Sequence, residues 1–585
     1  AANNTAVGNS ALTANTTGTS NVAVGKDALS TNTTAADNTA VGYTALAANT
    51  TGTQNVAVGS DSLDSNTTAD YNTAVGYNTL EANTTGASNT AIGRAALAAN
   101  TTAANNTAVG MNSLAANTTG TQNIAVGGLA IDANTTGSYN VAMGYEALST
   151  NITDSHSTAI GNNALKTSNG GTHNTAVGSA SMNALTTGDY NVGVGSQTFD
   201  SLTTGSSNTA VGYTALNVNT TASNNTAVGY ASLGANIDGA DSVAIGAYAL
   251  DTNTTGNYNV AVGYNSLTAN TTAASNTAVG FKSMETNTTG QYNQAFGHAA
   301  LQKNTTASNN TAIGTNALAA NTTGASNVAV GNGSLGANTT ANYNVAVGLS
   351  ALAANTVGTA NTALGHEALV TNIDGSNSTA LGYQALYYQE PASAVDMYNV
   401  AVGYHTGRTL NTGTNNTFVG GLAGDGTDDG GNNVAVGYAA LSANCGDENT
   451  AVGTQSLSVA TGANNTGCGQ SAGYSVTSGS NNGFFGRDAG VAGSPGGAIS
   501  TGSNEIVLGD ENITEAHIQV DWTVASDKRD KTDVEPMEMG LDFVNKLEPV
   551  TYKWDKRSLY VEKGEDFRDL VPDGTHKEEW LDTGF

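Results

Sequence analysis

The sequence predicts an all-β fold, a parallel β-solenoid or β-roll of about 30 coils, followed by a small α+β segment at its C-terminal end. Three observations predict it. A pentapeptide N-T/V-A-V/I-G returns every 17 residues, Leu and Asn recur at fixed offsets behind it, and the composition changes abruptly near Ser526.

The pentapeptide ends at Gly8, Gly25, Gly42, Gly59 and onward, and the 17-residue register holds without a slip to Gly382. Beyond it, Gly403, Gly420, Gly437, Gly453, Gly469, Gly486 and Gly509 continue the series with spacings of 21, 17, 17, 16, 16, 17 and 23. A fixed period of this kind marks a stacked repeat rather than a set of globular domains. Each unit reads like residues 38–54, N-T-A-V-G-Y-T-A-L-A-A-N-T-T-G-T-Q. Thr39 and Val41 alternate with Ala40, the period-2 signature of a strand, and the expectation is that the Thr/Val side faces the core.

Four residues past each anchor glycine stands Leu (Leu12, Leu29, Leu46, Leu63), which predicts a second inward row. Seven residues past it stands Asn (Asn15, Asn32, Asn49, Asn66), and the N-T-T-G or N-T-T-A that follows is turn chemistry. Identical stacked coils place Asn over Asn and Thr over Thr, as in-register ladders. Nothing recurs at helical spacing. Pro391 and Pro495 fall only in the two lengthened spacings and the other prolines beyond Ser526, so no regular coil loses a ladder hydrogen bond. At about 4.8 Å per coil, the stack makes a rod of roughly 140 Å.

A 17-residue coil holds few large apolar side chains. With Val facing inward, the strand's Ala faces out, leaving a smooth strip of small side chains that a second backbone approaches closely. A cyclic homo-oligomer would bury it; the alternative is a monomeric solenoid with a slim core. Tyr recurs after the anchor glycine (Tyr43, Tyr77, Tyr145) and before the first Asn (Tyr71, Tyr139, Tyr190). Such rows either ladder along the coil edges or bind sugars and surfaces.

The formal net charge of -29 gives no cationic footprint for nucleic acid. No apolar run of membrane-spanning length and no secretory leader occurs. The chain opens in mid-repeat without Met, which suggests that its natural N-terminus lies further upstream. Cys445 and Cys468 set no disulfide framework, Cys468 taking the place of an expected inward Val. The seven His show no metal-ligand spacing, Asp425, Asp428 and Asp429 read as a solvated loop rather than a calcium site, and no carboxylate pair suggests sugar cleavage. No cofactor or metal is expected.

The N-T-A-V-G units and S-V-A-I-G at residues 242–246 resemble the head repeats of YadA-type trimeric adhesins and repeats of phage tail fibres. The resemblance covers nearly all of residues 1–510, with a period longer than in the best-known adhesin heads. It implies a left-handed roll associating in threes.

After Gly509 an expected transition strand (residues 513–520, in a connecting segment 511–525) leads to the run S-D-K-R-D-K-T-D-V-E-P at residues 526–536. Leu541, Val544 and Leu547 fall at helical spacing, and Val550 to Trp554 reads as a strand. Together with L-E-P-V-T-Y-K-W at 547–554, this stretch resembles the start of the peptidase S74 family, the intramolecular chaperones at the ends of endosialidases and many phage fibres. The resemblance implies a trimerising domain that registers three chains and then cuts itself off. Ser526 would be the nucleophile and Lys531 its partner, with the scissile bond adjoining Ser526 and Asp527 next to it. A serine hydroxyl needs a base, and Lys serves when burial or neighbouring cations such as Lys528 and Arg529 depress its pKa. Five residues along one helix set side chains about 140° apart, so Ser526 and Lys531 meet only across a turn or between subunits. The alternative is a charged linker with Ser526 as a helix cap. The chain ends at Phe585, where the family domain is about half complete, which counts against self-cleavage by this sequence alone.

Three chains of near-identical repeats have many wrong registers open to them, and a C-terminal clamp would choose one. The expectation is therefore a shaft at residues 1–510 and the first part of a chaperone at 526–585. As a homotrimeric tail fibre of a virion, it would partner itself and a host-surface receptor, with a glycan as one candidate class, without membrane insertion or nucleic acid. Any enzymatic activity would be autoproteolytic only. A bacterial trimeric adhesin or other surface fibre is the alternative; a depolymerase spike would need an inserted catalytic domain for which 30 near-uniform coils leave no room, and an ice-binding solenoid would not explain the tail.

Overall fold

The computed structural model describes residues 2–517 and the short strands Val550–Tyr552 and Asp582–Gly584. The chain divides into two compact units, Ala1–Thr514 and Glu515–Phe585.

The first unit is a parallel β-solenoid. Each coil contributes one three-residue strand, from β1 (Thr5–Val7) to β30 (Ile506–Leu508), and every strand pairs in parallel with the next. Pairing is residue on residue: Thr39, Ala40 and Val41 lie beside Val56, Ala57 and Val58. No helix occurs among the described residues.

The strand faces the opposite way from the alternation argument. Its middle residue points in: Ala40, Ala57 and Ala74 are fully buried, while the flanking Thr39 and Val41 are partly exposed. The interior is a narrow column of Ala from the strand, Ala–Leu from the next turn (Ala45, Leu46) and two Asn (Asn38, Asn49). Period-2 alternation specifies two faces but not which is inside. The volume available beside Leu decides it, and three exchanges of large for small residues reveal the constraint. Where Phe418 replaces the strand Ala, Gly407 and Gly424 replace the Leu of two adjacent coils, and a Cβ at Gly424 would overlap the Phe418 ring. Phe484 stands in the same relation to Gly473 and Gly490. Conversely, Gly193 in the strand accompanies Phe199 at the Leu position. Interiors packed to crystal density tolerate such swaps only when total volume is held.

Both Asn rows are fully buried, and their hydrogen bonds account for it. Asn49 Nδ2 donates to Asn32 Oδ1 (3.0 Å) and to the carbonyl of Gly52 (2.9 Å), while Asn38 Nδ2 donates to the same carbonyl (2.8 Å). Asn38 Oδ1 accepts the backbone N–H of Asn55 at 2.9 Å. A buried amide unpaired in this way would cost roughly 1–3 kcal/mol, so the ladder is a condition of the fold. It lapses at Ser168, Leu185 and Leu202, and again at Leu410, Thr427, Ala460 and Val476, where the corresponding side chains are buried without the Asn pair.

Left-handed backbone recurs in every regular coil. Thr44, Leu46 and Gln54 have φ of 50, 54 and 58°, a conformation costing a non-glycine residue of order 1–2 kcal/mol. The return is hydrogen bonding to both neighbouring coils. Thr44 and Gln54 donate backward to Lys26 (3.0 Å) and Ala36 (3.2 Å), and Leu46 donates forward to Ser62 (3.0 Å). Gly42 has φ 145°, and a Cβ there would run into the carbonyl of Gly59, which explains the anchor glycine. The lengthened coil after Gly382 keeps the ladder by substitution: buried Gln389 takes the Asn place, donating to Asn372 Oδ1 at 3.1 Å.

In the second unit, Val550–Tyr552 (β31) pairs antiparallel with Asp582–Gly584 (β32). This is the strand expected near Val550. The expected helix over Leu541, Val544 and Leu547 lies outside the described residues.

Candidate functional site

With Ala inside, the outer face of the strand row belongs to the flanking residues. The third residue of all 30 strands is apolar: Val in most, otherwise Ile, Leu, Met, Phe or, once, Cys468. These side chains stand partly in solvent, Ile92 at 41%, Met143 at 44% and Leu508 at 45% exposure. The first strand residue, mostly Thr or Val, adds a second row two residues away. Stacking gives one such pair about every 4.8 Å, a strip roughly 140 Å long and about 10 Å wide, hence a footprint on the order of 1,400 Å². The strip is continuous in apolar side chains along the third-residue row and about half Thr along the first. Monomeric soluble proteins rarely expose a continuous patch beyond a few hundred Å². The smooth Ala strip expected from the sequence is therefore a correction: Ala is core, and the exposed strip carries larger apolar groups. Cys468 is likewise exposed on this strip rather than buried. Cys445 is the buried thiol, pushed up in pKa by that burial.

Tyrosines edge the strip, at the residue before the first Asn (Tyr71 60%, Tyr343 68% exposed) and after the anchor glycine (Tyr43 49%). Where aromatic residues occupy successive coils they stack. Tyr139, His156, His173 and Tyr190 form one column with centroids 4.8, 4.8 and 5.1 Å apart. Tyr213 and Tyr230 stack likewise, Tyr248 then packs edge-on between Tyr230 and Tyr264 at 5.1 and 6.1 Å, and Tyr264, Phe281 and His298 stack again. Stacked rings occupy one another's faces, so these columns favour the laddering reading over sugar stacking. Beside Tyr145, Glu146 pairs with Lys166 at 2.6 Å; that bond holds the Glu146 carboxyl low and the Lys166 ammonium high.

Inside the shaft one carboxylate is out of pattern. Asp154 is 2% exposed where other coils carry Gly or Ala, accepting from Ser168 Oγ (2.9 Å) and the Gly170 N–H (2.5 Å). Burial raises its pKa, and these hydrogen bonds offset part of the rise. Asp425 is also raised by burial, while Asp428 and Asp429 are exposed. Among the described residues, no group of three His, Cys, Asp or Glu is placed to hold a metal ion.

At the end of the shaft, Asp510 closes a turn by accepting from the Asn512 N–H (2.9 Å) and Nδ2 (3.0 Å). Residues 513–517, the described part of the expected transition strand, have no regular secondary structure. Ser526, Asp527 and Lys531, the residues expected to cut and to assist, lie outside the described residues, so their mutual geometry is not part of this structure.

Comparison with known families places one match on the chain: residues 526–576 match the Peptidase_S74 family, described as the chaperone of endosialidase. The match begins at Ser526. No curated protein matches the chain.

Proposed function

We propose that this chain is the shaft of a homotrimeric fibre, a viral tail fibre that reaches a host surface, and that its C-terminal chaperone sets the trimer and then cuts itself away at Ser526. The observation that carries the reading is the unbroken apolar strip, one apolar side chain per strand standing partly in solvent over 30 strands. About 1,400 Å² per chain exceeds the roughly 800 Å² that each partner contributes to a stable interface, and a Tyr-rich margin around an apolar centre is the composition of such interfaces. The trimeric number is supported by the chaperone-family match at residues 526–576.

A uniform strip has a defect that the chaperone would cure. Slipping one chain by a whole coil re-presents nearly the same face, so registers differ little in energy. A C-terminal domain that brings three chain ends level selects the aligned register before the solenoids close. Once formed, a long hydrogen-bonded stack is held by its unfolding barrier, and the clamp becomes dispensable. In the proposed cleavage, Ser526 Oγ attacks the Ala525 carbonyl while Lys531 takes its proton. The Ala525 C–N bond breaks as Lys531 returns that proton to the departing Ser526 amine, and water then hydrolyses the ester to an Ala525 carboxylate and the Ser526 hydroxyl. Lys528 and Arg529 lower the Lys531 pKa.

Mass spectrometry of the mature protein, beside sedimentation of the same sample, tests both parts. The expected result is a trimer whose chains end at or next to residue 526, and an intact chain for Ser526→Ala. A monomer at micromolar concentration sinks the fibre; an intact tail in the wild-type assembled particle sinks self-cleavage.

A further inference from the structure

The shaft lengthens by four residues between Gly382 and Gly403, and around that coil a groove of about 600 Å³ opens on the side that carries the N-T-T segment, away from the strand row. It runs over five successive coils, from Thr371 to Asn444, or about 19 Å along the axis. Elsewhere this side is a Thr ladder whose hydroxyls are spent: Thr50 Oγ1 donates to the Thr67 carbonyl at 2.9 Å, and Thr67 Oγ1 to that of Thr84 at 3.1 Å. In the groove the corresponding positions hold Glu390, Asn411 and Asp428, with Tyr388 on the wall. The Asn411 side chain and the Tyr388 hydroxyl make no hydrogen bond to the described residues, and Asn444 spends only its Oδ1, on the Asp428 N–H at 2.9 Å.

Tyr388 is held for use. The Arg408 guanidinium lies 5.4 Å from its ring centre and Tyr387 packs edge-on at 4.6 Å, yet the side chain keeps 45% exposure. Arg408 is itself engaged, donating from Nε to Gln384 Oε1 at 3.1 Å. Glu390 Oε2 accepts the Ile373 N–H at 2.8 Å, which leaves its other oxygen and the Asp428 carboxylate free among the described residues; an exposed aromatic ring beside these acceptors and unspent amides suits a ligand with apolar C–H faces and many hydroxyls. The two carboxylates accept hydroxyl hydrogens and repel anions.

We infer that this groove binds a linear, uncharged oligosaccharide. The inference rests on the reading of the chain as a surface-attaching fibre and gives that attachment a site on the flank that the strand-row interface leaves free.

Calorimetry on the full chain tests it, with neutral tetrasaccharides of glucose, galactose and N-acetylglucosamine as probes and a sialic acid tetramer as the anionic comparison. The expected result is saturable binding of at least one neutral probe, weakened about tenfold or more by Tyr388→Ala and by Asn411→Ala. Tyr474→Ala, an exposed ring outside the groove, leaves it unchanged. Three results would overturn the inference: no neutral probe saturating in the millimolar range, tighter binding of the sialic acid tetramer, or full affinity in both groove variants. Sedimentation of the same samples separates the two readings. A monomer that binds the sugar removes the fibre and keeps the groove, whereas a trimer that binds none does the reverse.

Discussion

Replacing Phe418 tests the inward orientation of the strand's middle residue, on which the whole account of interior and interface depends. Phe418 is fully buried, and its ring fills the space left by Gly407 and Gly424, where other coils carry Leu. Phe418→Ala removes the ring without restoring either Leu, so the cavity should cost about 3–5 kcal/mol locally. At 1.4 kcal/mol per tenfold, coils 403–437 should open roughly 150- to 4,000-fold more often. Gly424→Leu alone should also destabilise, because a Cβ there meets the Phe418 ring; backbone conformation is no obstacle, since φ at Gly424 is 62° and Leu46 sits at 54°. The combination Phe418→Ala, Gly407→Leu and Gly424→Leu recreates the regular coil and should return to within about 1.5 kcal/mol of the starting chain. Hydrogen exchange read by mass spectrometry on peptides spanning residues 400–440 is the assay, because opening in a solenoid is local rather than global. If Phe418→Ala leaves exchange there unchanged, or if the three changes destabilise additively, the middle residue does not face inward and the interior described above is wrong.

Three further outcomes are expected. Asn117→Leu should cost about 1–3 kcal/mol in exchange of coils 100–134, because it strands Asn100 Oδ1 and Asn134 Nδ2, whereas Leu185→Ala should cost through cavity formation instead. Asp154 has its pKa raised by burial, so the folded shaft binds the proton more tightly than the unfolded chain, and its contribution to stability is unfavourable at neutral pH and relieved as pH falls through the raised value toward 3.8. Asp154→Asn should therefore raise the melting temperature at pH 7 by more than at pH 4; an equal gain at both would show that the carboxylate is not titrating. Lys in place of Val211, Val228 and Ile245 puts three charges on the outer strip of adjacent strands and should shift sedimentation toward monomer without altering circular dichroism, while Lys at Thr51, Thr68 and Thr85, on the N-T-T side, should not.

Much of this architecture was legible in the residues. Gly42, Leu46 and Asn49 recur at offsets that admit only stacked coils, and the ladders of Asn and the burial of Leu follow from that stacking. The S-D-K-R-D-K-T-D run marked the C-terminal segment by an ordered motif, and the family match over residues 526–576 agrees with it. The orientation of Ala40 was not legible, because alternation is symmetric between faces and both Ala and Val are apolar. Phe418 and Phe484 with their partner glycines held the missing information: a ring can replace Ala only where Leu is absent, which places both in one interior. The same error hid the exposure of Cys468. The groove at Tyr388 escaped notice since it is built from five coils and a four-residue lengthening, none of which is a motif.

Periodicity by itself determined the class of fold, the number of coils and the parallel in-register pairing, because identical units 17 residues apart satisfy their backbones only by stacking on one another. Tertiary packing decided what lies inside and what faces solvent. The column beside each Leu has room for a methyl group but not for an isopropyl, so Ala turns in, Val turns out, and the surface left for a partner is the apolar one.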